Sequence, residues 1–104
     1  MEYIDQVYEL NKKMPTIEKI NLSSQLVRAA TSIALNIAEG STGQSNKEQA
    51  RFLSLAVRSY IKTVACLDLI ERRGYISITD MSCLRKIGRD LFYKITKFRK
   101  ALRD

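Results

Sequence analysis

A chain of 104 residues, 45% of them apolar and 28% charged, has room for one domain with one core, which excludes both a disordered chain and a membrane-embedded one. One proline and four glycines among good helix formers, with no sustained period-two alternation, exclude a sheet and predict an all-α protein. The formal charge of +7 is localised, because residues 81–104 carry eight Lys/Arg against two Asp, a balance of +6.

The first predicted helix runs from about Glu2 to Lys13, with Ile4, Val7, Tyr8 and Leu10 on one face, and Met14-Pro15 ends it because the residue before proline is pushed out of helical geometry. It is short against those that follow, either truncated or outreached by longer neighbours, and this leaves seam for another subunit to cover.

The second helix is predicted from Asn21 or Leu22 to Ala38, with Leu22, Leu26, Ala29, Ile33 and Ile37 on its stripe and Arg28 as its one charge. Two readings of that uncharged surface stand side by side. One is a helix buried on more than one side, hence a subunit contact. The other is a solvated face of Ser23, Ser24, Gln25, Thr31 and Ser32.

Gly40 to Gln44 reads as a turn, and Ser45 with Glu48 three residues on makes a capping box that opens the third helix. Its packing stripe is Leu53, Ala56, Val57, Tyr60, Val64 and Leu67. It ends at Arg73, with Arg72 and Arg73 suited to the carbonyl end and Gly74 as the left-handed stop. Ser77 and Asp80 repeat the capping logic for the fourth helix, where Met81, Leu84, Gly88, Leu91, Ile95, Phe98 and Leu102 form a narrow seam. Short connections make the four helices antiparallel neighbours, an up-and-down four-helix bundle in a single domain spanning 1–104.

The chain has no histidine, which removes the commonest general base and metal ligand, so no catalytic residue, metal or cofactor is expected. Cys66 and Cys83 form no CxxC and are expected buried or half-buried as reduced thiols. Gly40 to Lys47 lacks the Gly-Lys-Ser/Thr of a phosphate loop. Met1 is followed by Glu2 and Asp5, not by a basic segment and an apolar run. No signal peptide, no membrane span and a cytoplasmic location are therefore expected.

Lys47, Arg51, Arg58 and Lys62 fall within about 60 degrees of one another around the third helix, a basic stripe roughly 22 Å long. Arg85, Arg89, Lys100 and Arg103 form a second stripe opposite the seam of the fourth, with Tyr93 at its edge, placed either to stack on a base or to pack. Each stripe is either a phosphate-binding surface or a solvated face. Glu39, at the carbonyl end of the second helix, calls for a cation, and Arg51 or Lys47 is the expected partner.

The run Leu22-x-x-Gln25-x-x-Arg28-Ala29-Ala30-x-Ser32-Ile33-x-x-Asn36-Ile37-Ala38-Glu39-Gly40, followed by Ser45-x-x-Glu48, Phe52-Leu53-x-x-Ala56 and Ser59, resembles the small four-helix-bundle proteins encoded within intervening sequences of bacterial 23S ribosomal RNA genes. Met14-Pro15 and Glu18 resemble the Phe-Pro and Glu that precede this run in the family. Arg28, Asn36, Glu39 and Gly40 carry the motif. The resemblance implies an up-and-down bundle assembled into a homopentameric barrel. It also implies kinship in fold with the accessory variability protein of diversity-generating retroelements, which works with a reverse transcriptase and nucleic acid. For most of the family no biochemical activity is assigned. Ala34 stands where the family usually has Pro, which leaves a kink in the second helix open, and Arg58 and Lys62 replace the usual Gly and Glu, which brings close approach at Ser59 into question.

The expectation is a non-enzymatic, homo-oligomeric bundle that binds RNA or DNA, or a nucleic-acid complex, through phosphates and without sequence readout. The alternative is a structural module that assembles with an acidic protein partner, without nucleic acid.

Overall fold

The computed structural model describes residues 1–43 and 45–102. Its helices are α1 (Glu2–Asn11), α2 (Leu22–Gly40), α3 (Asn46–Arg73) and α4 (Ile78–Ala101), with a 3-10 turn at Thr16–Glu18. Among the described residues there is no strand. Each helix packs on its chain neighbours and α1 closes the ring on α4, which makes an up-and-down bundle measuring 45 × 24 × 18 Å.

Local chemistry sets most of the boundaries. Ser45 Oγ accepts from the Glu48 N–H at 3.2 Å and Ser77 Oγ from the Asp80 N–H at 3.1 Å, each satisfying a helix-start donor that would otherwise lack a partner. Gly74 ends α3 at φ 73°, a conformation that costs glycine nothing. Helix α2 runs unbroken through Ala34, since no proline ring there displaces a carbonyl. The Tyr75 hydroxyl donates to Glu18 Oε2 at 2.9 Å, tying the 3-10 turn to the α3–α4 connection. Lys13 Nζ reaches Asp80 Oδ2 at 2.6 Å, tying the end of α1 to the start of α4 and holding the Asp80 carboxyl below its ordinary range.

The core fills from all four helices, with Val7, Leu26, Ile33, Leu53, Leu67, Ile70 and Met81 essentially closed to solvent. Each such side chain contributes about 1.5–3 kcal/mol relative to exposure. Tyr3 of α1 lies among them and crosses the bundle to Thr63 of α3, its hydroxyl 2.7 Å from Thr63 Oγ1. Tyr3 and Tyr60 rings sit 5.8 Å apart, and Phe92 lies 5.4 Å beyond Tyr60, an aromatic line from α1 through α3 to α4. Gly88 makes room for it: a Cβ there would stand 2.7 Å from Tyr3 Cε1 and 3.1 Å from Tyr60 Cε1.

Helix α2 approaches α3 closely through small residues. Ser59 Oγ donates to Ser32 Oγ at 2.9 Å, and a Cβ on Gly40 would meet Phe52 Cβ at 3.0 Å. Close approach at Ser59 therefore holds with Arg58 and Lys62 beside it, because both of those side chains point outward. The seam of α4 does not stay covered along its length. Met1, Glu2 and Tyr3 lie level with Leu91 and Lys94, so α1 begins there, and Phe98 beyond it remains 45% exposed.

Candidate nucleic-acid interface

On α3, Lys47, Arg51, Arg58 and Lys62 are all exposed along one outward side, as the 3.6-residue period requires. They are not equivalent. Arg51 Nε stands 3.5 Å from Glu48 Oε1, and its guanidinium lies 4.8 Å over the Phe52 ring. Lys47, Arg58 and Lys62 form no ion pair among the described residues; Ile61 lies between the last two and Leu69 two turns beyond them, each about half exposed.

The α4 row is divided. Arg85 is only 23% exposed and binds Asp68 Oδ1 at 2.8 Å and Glu71 Oε1 at 3.3 Å, so it fastens α4 to α3 and its charge is already matched. Arg89 and Lys100 stay exposed without an ion pair among the described residues. Arg103 lies outside the described residues. Lys86 and Lys97, outside the row expected from the sequence, share this outward side; their position one step around the helix from Arg89 and Lys100 was the available signal. Tyr93, 66% exposed, stands between them with its ring 5.9 Å from that of Phe92. Arg99 turns inward and donates to Ser54 Oγ at 3.1 Å.

Of the motif residues, Asn36 and Gly40 serve the α2–α3 crossing. Asn36 Nδ2 donates to the Ser32 carbonyl at 2.9 Å and to Ser32 Oγ at 3.1 Å, which fixes the hydroxyl that Ser59 reaches. Arg28 stays exposed on the rim of a groove of about 510 Å3 between α2 and α3, across from Lys62. The ion pair expected from Glu39 to Arg51 or Lys47 is not formed: Glu39 is exposed, and Glu48, three residues from Arg51 on the same helix, takes that guanidinium. Cys66 is buried, and burial raises its thiol pKa, whereas Cys83 is exposed, contrary to the expectation of two covered thiols. Cys83 lies on the outward side of α4, three residues before Lys86.

Among the described residues no three of Cys, Asp and Glu gather closely enough to hold a metal ion, and no helix is long and apolar enough to cross a membrane. What the surface offers is cations fixed at helical spacing on adjacent helices, with one solvent-facing tyrosine. Such a surface can neutralise a row of phosphates. The family model for the 23S rRNA-intervening sequence protein matches residues 1–97. No curated protein matches the chain.

Proposed function

We propose that this chain, which belongs to the family of 23S rRNA-intervening sequence proteins, is a non-enzymatic bundle that assembles with copies of itself and binds the phosphate backbone of RNA or DNA without reading sequence. The observation that carries the proposal is the exposed charge on two adjacent helices that forms no ion pair among the described residues, Lys47, Arg58 and Lys62 on α3 with Lys86, Arg89, Lys97 and Lys100 on α4. Charges already held by acids would release no counterions on binding; these are free to do so. Each patch is modest. Repetition around an oligomer raises its strength, because neighbouring sites on one strand act at high effective concentration.

Binding to a generic single-stranded RNA, measured across a salt series, tests this. Affinity should fall steeply with salt, and R58Q/K62Q should flatten the logarithmic slope by roughly 0.7 for each phosphate that is no longer neutralised. Absence of binding at low salt, or affinity indifferent to salt, rejects the proposal.

A second reading rests on a different observation. Leu35 on α2 and Ile61 and Leu69 on α3 are exposed apolar side chains on outward faces, as a protein-contacting surface requires. On that reading the bases steer an acidic protein partner. Capture of the same partners from nuclease-treated extract, together with failure to bind RNA, would favour it.

A further inference from the structure

Tyr93 stands at the centre of the outward row of α4. Successive residues of a helix turn by about 100 degrees, so Lys86, Arg89, Lys97 and Lys100 all fall within about 40 degrees of Tyr93. Arg89 and Lys97 lie about 6 Å along the axis on either side of it, and Lys86 and Lys100 about 10 Å. Each of these cations is exposed and forms no ion pair among the described residues. Asp90, the acid nearest in sequence, lies about 60 degrees around the helix from Tyr93, where it lines a notch at the start of α1 with Lys94.

The ring is both open and held. Tyr93 is 66% exposed, yet its ring lies 5.9 Å from that of Phe92, which stacks on Tyr60 at 5.4 Å, and Tyr60 packs at 5.8 Å on Tyr3 in the core. Tyr93 is thus the outer end of an aromatic line anchored on α3 and α1. A tyrosine braced in this way gives up little side-chain freedom when a ligand lands on it. Cations alone neutralise phosphates and are indifferent to whether the bases are paired. An exposed aromatic ring among them adds what they lack, a platform for a base.

We infer that the outward row of α4 selects single-stranded nucleic acid, with an unpaired base stacked on Tyr93 and the phosphates to either side of it held by Arg89 and Lys97. Lys86 and Lys100 extend the track along the strand. In a duplex each base face is covered by its neighbours, so the ring has nothing to stack on unless a base is pulled out of the stack, which costs energy. The same cations meet a duplex only as a charged surface. Every base has a π face, so stacking selects the state of the strand without reading its sequence. This selectivity rests on the phosphate-backbone function and adds to it the strand state and the side chain that recognises it.

The test measures the affinity of the full chain, across a salt series, for an unstructured RNA of about twelve nucleotides, for the same strand annealed to its complement, and for a strand of equal length that lacks bases. The single strand should bind more tightly than the duplex. Charge alone gives the reverse order, since a duplex carries more phosphates per unit length. Y93L should bind the single strand about tenfold more weakly, with its salt slope unchanged and its affinity for the duplex and the baseless strand as in the parent. Y93F keeps the ring and should match the parent throughout. A duplex bound as tightly as the single strand, parental single-strand affinity in Y93L, or Y93F as weak as Y93L overturns the stacking site, and a steep salt slope in the same data leaves the phosphate-backbone function standing. No binding of any strand at low salt removes both. Light scattering should give Y93L the mass of the parent. A lower mass would mean that Tyr93 packs between copies of the chain and is closed to bases, which overturns the site too.

Discussion

Tyr3 illustrates how one residue couples burial, hydrogen bonding and pH. Thr63 donates its own hydroxyl proton to the Tyr60 carbonyl, so the bond between Tyr3 and Thr63 runs from the phenol to Thr63 Oγ1. Burial pushes the Tyr3 hydroxyl up to about 12 from its usual 10, because a phenolate there would lack solvation. In the unfolded chain the phenol ionises near pH 10, whereas in the folded chain it stays neutral until about pH 12. Its contribution is therefore intact below pH 10 and is lost as pH rises towards 12. Tyr3→Phe should cost about 1 kcal/mol at neutral pH through removal of the hydrogen bond. Urea denaturation from neutral to high pH should then show the stability gap between parent and variant closing above pH 10, because the variant has no phenol to ionise at this position. Tyr60 is also raised by burial and Tyr75 by its bond to Glu18, but both remain in either protein and cancel in the comparison. A gap that stays constant through that range would mean the Tyr3 hydroxyl reaches water.

At the scale of helices, what matters is how near two of them can come. Gly88 gives up helix propensity worth about 1 kcal/mol relative to alanine. It does so where Tyr3 is held by Thr63 and Tyr60 packs behind it, so neither ring is free to swing aside. Gly88→Ala should therefore lower stability by about 1–3 kcal/mol despite the gain in propensity, read as a fall in denaturation midpoint with the far-ultraviolet helical signal retained. A stabilised variant would show that α4 can slide away from α1. The caps at Ser45 and Ser77 and the stop at Gly74 were legible in the sequence because each is settled within about four residues. Contacts between helices were not. The placement of Arg85 in the free row failed to anticipate Asp68 and Glu71, 17 and 14 residues away, since the rotation of α4 against α3 decides which side chains meet. The expected partner of Glu39 failed for a nearer reason: a surface guanidinium has several acids within reach, and the one on its own helix won.

For the whole molecule, surface area bears on assembly. A compact monomer of 11.9 kDa should expose about 6,000 Å2, whereas this rod exposes 6723 Å2. The surplus is of the order of one side of a standard protein interface, about 800 Å2. Leu35 is the sharpest probe of where such an interface lies. It is 64% exposed in the middle of α2, a helix whose only charges are Arg28 in its N-terminal half and Glu39 at its end. Because Leu35 takes little part in its own core, Leu35→Asp should change the stability of an isolated chain by no more than about 0.5 kcal/mol. In an oligomer that packs this face, the same change buries a carboxylate without a partner, which an interface of ordinary size does not survive. Light scattering should thus report a multiple of 11.9 kDa for the parent and a mass falling towards 11.9 kDa for the variant. RNA affinity should fall in step, although every phosphate-binding side chain is still in place, because the avidity of repeated faces is gone. A parent that is monomeric across the working concentration range would take away the reason for supposing that modest basic patches suffice, and the charged faces of α3 and α4 would then have to bind one chain at a time.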